Sequence, residues 1–368
     1  MQKVKLGCHI IQIRGVSYKP EDVYETLSDD SVILLRANNI KDGKINFDDV
    51  VYVNRLKVKS EQFLKKGDIL ICTSSGSKEL VGKAAYITAD YDVVFGAFCK
   101  VLRSIDICAE YLGHYFQSDY YKGQIMRSCQ GANINNLRAE HFNELLIKLP
   151  LTEEKQKAIA KKLDKVVDLI EKRKKQIEKL DELVKSRFIE MFGDCLSNNF
   201  GWDLQQGNKL FKFSSGKFLS EDKRLNKGVP VYGGNGIVWY TKSALVNFPT
   251  IIIGRVGVYC GNVNVVLSPV WVTDNAIYIK EFLNKEFNVI FLYYLMINLN
   301  FSRFADYSGQ PKITQKPLEN IKYIIPPIEL QNKFAEFVEK VEKTKSAIKK
   351  SLYSLETLKK SLMQKYFG

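Results

Sequence analysis

The residues of this sequence that could take part in chemistry do not form a recognisable catalytic or metal-binding set. Its three histidines, His9, His114 and His141, are isolated, and none lies at metal-ligand spacing from a cysteine or another histidine. Residues 76–84 resemble a phosphate-binding loop, but the glycine spacing is one residue too long and Ala84 replaces the metal-binding hydroxyl. The sequence therefore predicts no catalytic residues, no metal site and no cofactor.

Cations and amides near glycines suit a different task, the recognition of a polyanion such as DNA. Lysine and arginine bind phosphates, arginine also fits guanine, and asparagine and glutamine fit adenine. Glycines beside them allow a close approach of the backbone. The candidates in the N-terminal part are Arg36, Asn38, Asn39, Ser75, Ser77, Lys78, Lys83, Gln130, Asn133, Asn135 and Arg138. Those in the C-terminal part are Lys217, Tyr232, Asn235, Arg255, Gln310 and Lys312. For each residue an ordinary turn or solvated-charge role is the alternative, and Arg255, in the glycine turn 254–257, is the strongest candidate.

The overall charge agrees with a polyanionic partner. The chain has 368 residues and a formal net charge of +14, and 45% of its residues are hydrophobic, enough to fill real cores. The charge is spread along the chain rather than gathered in one basic tail. We therefore expect the basic surface to be shared between several segments.

A long apolar repeat organises the elements that must position these residues. From Ile159 to Met191, spacings of four and three residues select apolar side chains at eight of ten positions, the pattern of a coiled-coil seam. The same spacing returns from Phe334 to Tyr366. Arg173 and Arg187 occupy seam positions in the first segment, and we expect each to face an apolar or acidic neighbour. Lys345 and Lys359 occupy seam positions in the second segment, with the same expectation.

The two helical segments are copies of one another. Shifted by 175 positions, residues 156–193 and 331–368 align without a gap and are identical at twelve of 38 positions, including Gln156 with Gln331 and Phe192 with Phe367. Short β-like runs, a helical stretch, a glycine-containing loop and a proline precede each segment. The sequence therefore predicts a duplicated unit of a globular domain followed by a long helix.

These patterns define the expected fold and domains. We expect an α+β fold in which two mixed α/β domains are joined by two long helices packed as an antiparallel coiled coil, with a pseudo-two-fold internal repeat. The predicted boundaries are 1–150 and 194–327 for the two globular domains, and 151–193 and 328–368 for the two helices.

Cysteine usage and hydropathy bear on location. The seven cysteines are odd in number, scattered and without a C-x-x-C motif, which favours reduced thiols and a cytoplasmic protein. The longest apolar stretch, 289–297, is far too short to span a bilayer, so no membrane partner is expected.

The chain resembles the specificity (S) subunit of type I restriction-modification systems over essentially its whole length. The resemblance depends on the two helical segments and on the motifs Val-Pro-Val-Tyr-Gly-Gly-Asn-Gly (229–236), Ile-Ile-Gly-Arg-Val-Gly (252–257) and Gly-Ala-Asn-Ile-Asn-Asn-Leu (131–137). Two details depart from the family pattern: the chain starts almost directly in the first recognition domain, and Pro150-Leu151 rather than Pro-Pro leads into the first helix.

This resemblance implies a non-catalytic subunit that reads a bipartite, asymmetric site on double-stranded DNA. Residues 1–150 and 194–327 would be target recognition domains 1 and 2, and the helices would set the spacing. The helices would also dock two methyltransferase subunits, with restriction/translocase subunits joining the complex. Adenine methylation and DNA cleavage would then occur only in the complex. The alternatives are a basic coiled-coil scaffold with non-specific DNA binding and, with less support, a self-sufficient restriction enzyme.

Overall fold

The computed structural model describes residues 1–77, 79–128, 136–283 and 287–368 of the chain. These form two compact units, one comprising residues 1–174 and 350–368 (unit 1) and the other residues 175–349 (unit 2). Each unit is a mixed α/β domain followed by half of one long helix and completed by half of the other. Within the described residues, no helix combines the length and apolar content that a membrane crossing needs.

Unit 1 is built on two four-stranded sheets. Its α-helices are Ala109–Gln117, Asp119–Ser128 and Ala139–Asn143. Its strands are Gln2–Lys5, Ile10–Arg14, Val23–Tyr24, Ser31–Leu35, Ile40–Lys41, Lys44–Ile45, Val51–Asn54, Ile69–Cys72, Ala84–Tyr86, Val93–Phe95, Cys99–Ser104 and Leu146–Leu149. One sheet is antiparallel and has the order Ile10–Arg14, Cys99–Ser104, Ile69–Cys72, Ala84–Tyr86. In the other sheet, Val93–Phe95 pairs in parallel with Ser31–Leu35.

Unit 2 repeats this sheet topology. Its short helices are Gly207–Leu210, Val289–Leu299 and Gln315–Asn320. Its strands are Leu204–Gln206, Phe211–Ser215, Val229–Gly233, Gly236–Thr241, Thr250–Gly254, Val263–Val266, Trp271–Val272, Ala276–Phe282 and Lys322–Ile324. The antiparallel sheet has the order Phe211–Ser215, Ala276–Phe282, Thr250–Gly254, Val263–Val266, and Trp271–Val272 pairs in parallel with Val229–Gly233. The short β-like runs predicted ahead of each long helix are confirmed as strands, for example at Ser31–Leu35, Ile69–Cys72 and Thr250–Gly254.

The two long helices run Glu153–Phe192 (first long helix) and Ile328–Phe367 (second long helix), 40 residues each. In each unit, one half of the first long helix packs antiparallel against one half of the second. In unit 1, Ile159 and Leu163 share a core with Met363 and Phe367. In unit 2, Phe188 and Phe192 pack against Phe334. The predicted antiparallel coiled coil is confirmed within each unit.

The seam differs from the prediction at the end of the first long helix. There the buried residues are Phe188 and Phe192, one position after the predicted Arg187 and Met191. The two phenyl rings fill the space against Phe291 and Phe334, which a seam of Arg187 and Met191 would leave open. Arg187 instead lies over the ring of Phe337, 5.9 Å from its centroid, so its neighbour is apolar as expected.

The two lysines at the seam of the second long helix have different surroundings. Lys345 Nζ lies 2.6 Å from the carboxylate of Asp181 and 2.8 Å from that of Glu342. Burial lowers the pKa of Lys345, but the two carboxylates outweigh it and raise the value to about 12. Burial also lowers the pKa of Lys359, and there the nearby Lys122 and Lys174 lower it further. The apolar or acidic neighbour expected at each polar seam position is thus acidic at Lys345.

A pair of buried glutamines ties each long helix to its own unit. The Oε1 atom of Gln156 accepts a hydrogen bond from the backbone N–H of Cys108 at 2.8 Å, and its Nε2 donates to the carbonyl of Pro150. Gln331 repeats both bonds, with the N–H of Asn288 at 3.0 Å and the carbonyl of Pro326 at 2.8 Å. Each glutamine therefore satisfies the hydrogen bonds of two backbone groups: an N–H at the start of a helix and a carbonyl just after a strand.

Candidate nucleic-acid interface

Four loops meet at the same edge of the sheets in each unit. In unit 1 they are residues 15–17, 73–77, 96–98 and 136–138, here called loop edge 1. In unit 2 they are residues 216–218, 255–259, 273–275 and 310–314, here called loop edge 2. Backbone hydrogen bonds between these loops establish which residues of the two edges are equivalent.

The first equivalent pair is Thr73 and Arg255. The N–H of Thr73 donates to the carbonyl of Phe98, and the N–H of Arg255 donates to that of Asn275, both at 2.9 Å. Two further bonds repeat in the same way. Leu137 N–H donates to Thr73 O at 2.7 Å, and Ile313 N–H donates to Arg255 O at 2.8 Å. Thr73 and Arg255, Phe98 and Asn275, and Leu137 and Ile313 therefore occupy matching positions.

A glycine in each edge permits a close approach of two loops. A Cβ atom on Gly15 would lie 2.1 Å from the carbonyl oxygen of Gly96, and one on Gly216 would lie 2.1 Å from that of Thr273. Only glycine fits at either position without moving the backbone. The next residues, Val16 and Lys217, make matching backbone bonds to Phe95 O and Val272 O.

A cationic cleft of about 420 Å³ adjoins loop edge 1. Arg14, Lys100 and Arg138 line it together with Ser17, Thr73 and Glu140. Lys100 Nζ donates to Gln12 Oε1 at 2.7 Å, and burial together with Arg14 lowers the pKa of Lys100. Arg14 and Arg138 are exposed, so their guanidinium groups can reach a phosphate or a base edge.

The other predicted residues of unit 1 have diverse surroundings. Arg36 Nη2 and Asn38 Nδ2 both donate to the carboxylate of Asp49 at 2.9 Å, which holds these two side chains side by side. Ser75 Oγ accepts a hydrogen bond from the N–H of Ser77, and Ser77 and Lys83 are exposed. The predicted residues Lys78, Gln130, Asn133 and Asn135 lie outside the described residues.

Asn39 requires a correction, because its side chain is not available to DNA. It is 0% exposed. Its Oδ1 accepts from the N–H of Arg36, and its Nδ2 donates to the carbonyls of Asn46 and Asp48. Asn39 therefore holds the loop 36–48 together, and we remove it from the predicted DNA contacts.

Loop edge 2 brings together four of the six predicted residues of unit 2. Lys217 is exposed, and Arg255 is half-buried with its Nη1 donating to Asp274 O at 3.3 Å. Lys312 Nζ lies 4.0 Å from the carboxylate of Asp306, whose pKa is lowered mainly by the N–H of Ser308. Gln310 is exposed beside the turn that begins at Gly257, whose N–H donates to Pro311 O.

The remaining two residues belong to the hairpin 229–241 next to this edge. Asn235, at its tip, is exposed, and its Oδ1 accepts from Asn262 Nδ2 at 3.2 Å. Tyr232 is half-buried against the cluster around Val246 and Val272, and burial raises the pKa of its hydroxyl. Trp239, in the same hairpin, is 38% exposed, with the Arg224 guanidinium 3.9 Å from its ring centroid.

Sequence reasoning missed Arg14 and Lys100 in unit 1 and Asn262 and Asn275 in unit 2. Arg14 ends the strand Ile10–Arg14, and Lys100 pairs with it in the register of the antiparallel sheet. That pairing is long-range, so only the alternation of polar and apolar residues along each strand could have suggested the two cations. Asn275 and Asn262 stand in turns whose meeting also depends on long-range bonds.

A family model described as the type I restriction modification DNA specificity domain matches the chain twice, at residues 22–180 and 201–357. The chain belongs to this family. The first match contains loop edge 1 except for residues 15–17, and the second contains all of loop edge 2. The family thus agrees with the resemblance inferred from the helices and glycine motifs.

Individual relatives carry the same description. The StySPI specificity subunit of Salmonella potsdam is 39% identical over 204 residues, 55% of this chain and 44% of that protein. The EcoKI specificity subunit of Escherichia coli strain K12 is 40% identical over 174 residues, 47% of this chain and 37% of that protein. Both are named type I restriction enzyme specificity subunits. The matched part spans less than half the length of each.

Solved structures share the fold over the full chain. The S subunit of a type I restriction-modification system from M. genitalium covers 100% of this chain and 96% of its own, with a TM-score of 0.66 and 20% identity. A chain from a study of assembly and conformational transition of a type I system covers 100% and 97%, with a TM-score of 0.59 and 17% identity. The duplicated α+β fold with two long helices is therefore that of type I S subunits.

Proposed function

We propose that this chain is the DNA-specificity subunit of a type I restriction-modification complex and reads a bipartite, asymmetric site on double-stranded DNA. Residues 1–150 act as one target recognition domain, through loop edge 1. Residues 194–327 act as the other, through loop edge 2. The observation that supports this most strongly is one loop geometry present twice with different side chains, since two such edges can read two different half-sites.

The side chains at these edges fit the task. Arg14 and Arg138 at one edge and Lys217 and Lys312 at the other are exposed cations that can bind phosphates. Arg255 can form the bidentate pair with guanine, and Asn38 and Asn235 can pair with adenine. Asn38 and Asn235 follow equivalent strands, Ser31–Leu35 and Val229–Gly233, at matching distances from the bonds Gly96 N to Leu35 O and Thr273 N to Tyr232 O.

In this proposal the chain itself catalyses nothing and acts in the cytoplasm. The long-helix segments, 151–193 and 328–368, separate the recognition domains and dock two methyltransferase subunits, and restriction/translocase subunits join for cleavage. Adenine methylation requires that the base leave the stack, which is the work of the methyltransferase. Because the helices and their Gln156 and Gln331 joints are duplicated, they offer the same surface twice.

The direct test is single-molecule methylation mapping of DNA from a host that carries this chain and its neighbouring methyltransferase gene, compared with a deletion of this chain. We expect methyladenine to disappear at one bipartite motif in the deletion strain. If purified complexes bound every duplex equally well and methylation did not change, the chain would be a non-specific scaffold.

A further inference from the structure

Loop edge 1 carries one apolar side chain in a position where an apolar group is unexpected. Phe98 is 70% exposed. It lies in the turn 96–98, between the strands Val93–Phe95 and Cys99–Ser104. Thr73, which lines the cationic cleft, donates a backbone hydrogen bond to the carbonyl of Phe98 in this turn. A single exposed phenylalanine elsewhere on the surface would need no explanation. Phe98, however, lies next to a cationic cleft that could bind DNA.

The backbone that carries Phe98 is fixed. Its carbonyl accepts hydrogen bonds from Thr73 N–H at 2.9 Å, Thr73 Oγ at 3.0 Å and Ser74 N–H at 3.1 Å. The N–H of Cys99 closes the turn onto Gly96 O at 2.8 Å. The phenyl ring is therefore presented from a rigid platform, as a side chain that discriminates between bases must be.

The equivalent position in unit 2 has a polar residue. Asn275 accepts the bond from Arg255 just as Phe98 accepts it from Thr73. The backbone at this position thus tolerates a small polar side chain, and neither folding nor the turn requires a phenyl ring. What the ring can supply at a cationic edge is an apolar contact with DNA.

We propose that Phe98 is a specificity-determining residue that contacts the C5-methyl group of a thymine in the half-site read by unit 1. Among the four bases only thymine presents an apolar group in the major groove, and phenylalanine is one of the side chains that contacts it. Arg14, Lys100 and Arg138 line the adjacent cleft, where cations can bind the flanking phosphates and bases. This inference rests on the proposed function. Its test compares the methylation motif of each variant with that of the wild type.

The test uses the whole chain in its host, with Phe98→Asn as the variant, because asparagine is the residue at the equivalent position of unit 2. The wild-type motif should contain a T·A pair in one half-site, and Phe98→Asn should lose the preference at that pair while the other half-site keeps its sequence. Phe98→Leu, which keeps an apolar contact, should keep the motif.

Leu56→Asn is the matched control. Leu56 is 93% exposed and follows the strand Val51–Asn54, whose Asn54 pairs with Ser31 at the end of that sheet opposite to loop edge 1. Its replacement should leave both half-sites unchanged. An unchanged motif in Phe98→Asn, a change confined to the other half-site, or a unit 1 half-site without a T·A pair would each overturn the inference.

A measurement with the purified complex covers the case in which Phe98→Asn abolishes methylation altogether. Deoxyuridine in place of the critical thymine removes only the C5-methyl group, and wild-type binding should weaken about fourfold, the effect of one buried methyl-sized group. The Phe98→Leu complex should also bind the uracil duplex less tightly than the thymine duplex, by a similar factor. If the uracil duplex bound as tightly as the thymine duplex, the ring would not read the methyl group, although the deletion experiment could still succeed.

Discussion

Loop edges 1 and 2 have the same backbone and different side chains. The bonds from Thr73 to Phe98 and from Arg255 to Asn275 have the same length, and Gly15 and Gly216 approach the opposite loop equally closely. Yet the residue equivalent to Thr73 is Arg255, and the residue equivalent to Phe98 is Asn275. The comparison teaches that backbone bonding holds the loops in place while the side chains remain free to differ, which suits two domains that read two different sequences.

The joints between domain and helix show the opposite behaviour, since backbone and side chain are both kept. Gln156 and Gln331 make the same pair of hydrogen bonds in the two units. A joint has one structural task, so one residue type serves both copies. In the proposed function the two loop edges have different tasks, because each edge reads its own half-site.

The largest expected effect concerns these joints. Gln156→Ala and Gln331→Ala should each lower the free energy of unfolding, by about 1–3 kcal/mol for each backbone group left buried without a partner. The two variants should cost similar amounts in urea denaturation, because their bonds are equivalent. Gln364→Ala, at an exposed position of the second long helix, is the control and should change stability by less than about 0.5 kcal/mol. A loss at only one joint would mean that the two copies are not energetically equivalent.

A smaller effect should separate the two seam lysines. Lys345→Met removes the partner of Asp181 and Glu342 and should destabilise the chain by about 1 kcal/mol, a modest value because both carboxylates are about half exposed. Lys359→Met removes a half-buried cation next to Lys122 and Lys174, whose charges lower its pKa, and should leave stability unchanged or raise it.

Thermal unfolding of both variants at pH 7 gives the comparison. The opposite order of the two melting temperatures would contradict the assignment of Lys345 as the paired lysine and Lys359 as the crowded one.

The helices and strands could be predicted from local pattern, whereas the contacts between loops could not. The repeat from Ile159 to Met191 identified the first long helix, because an apolar stripe at this spacing is a property of adjacent turns. It misplaced the seam near Arg187, because Phe188 and Phe192 fit a core built from distant residues such as Phe291.

The candidate site shows the same division. Arg255 and Lys312 were predicted from their glycine turns, and the structure places both at loop edge 2. Asn39 was predicted because an amide can fit adenine, but its Nδ2 donates to the carbonyls of Asn46 and Asp48 instead. Phe98 gave no signal, because an apolar residue in a sequence does not reveal whether a turn will expose it.

The central claim, that each loop edge reads its own half-site, can be tested by exchanging arginines for the residues of the opposite unit. Arg255→Thr places the residue of position 73 at loop edge 2. Arg138→Thr places the residue of position 314 at loop edge 1. Positions 138 and 314 are equivalent because they directly follow the equivalent residues Leu137 and Ile313. An arginine that pairs with guanine contributes roughly 1–3 kcal/mol of discrimination, so each variant should relax its own half-site.

Methylation mapping of the two variants beside the wild type is the most direct measurement. We expect Arg255→Thr to change bases in one half of the bipartite motif only, and Arg138→Thr to change bases in the other half only. Changes from both variants in the same half, or in both halves from a single variant, would contradict the assignment of one half-site to each unit.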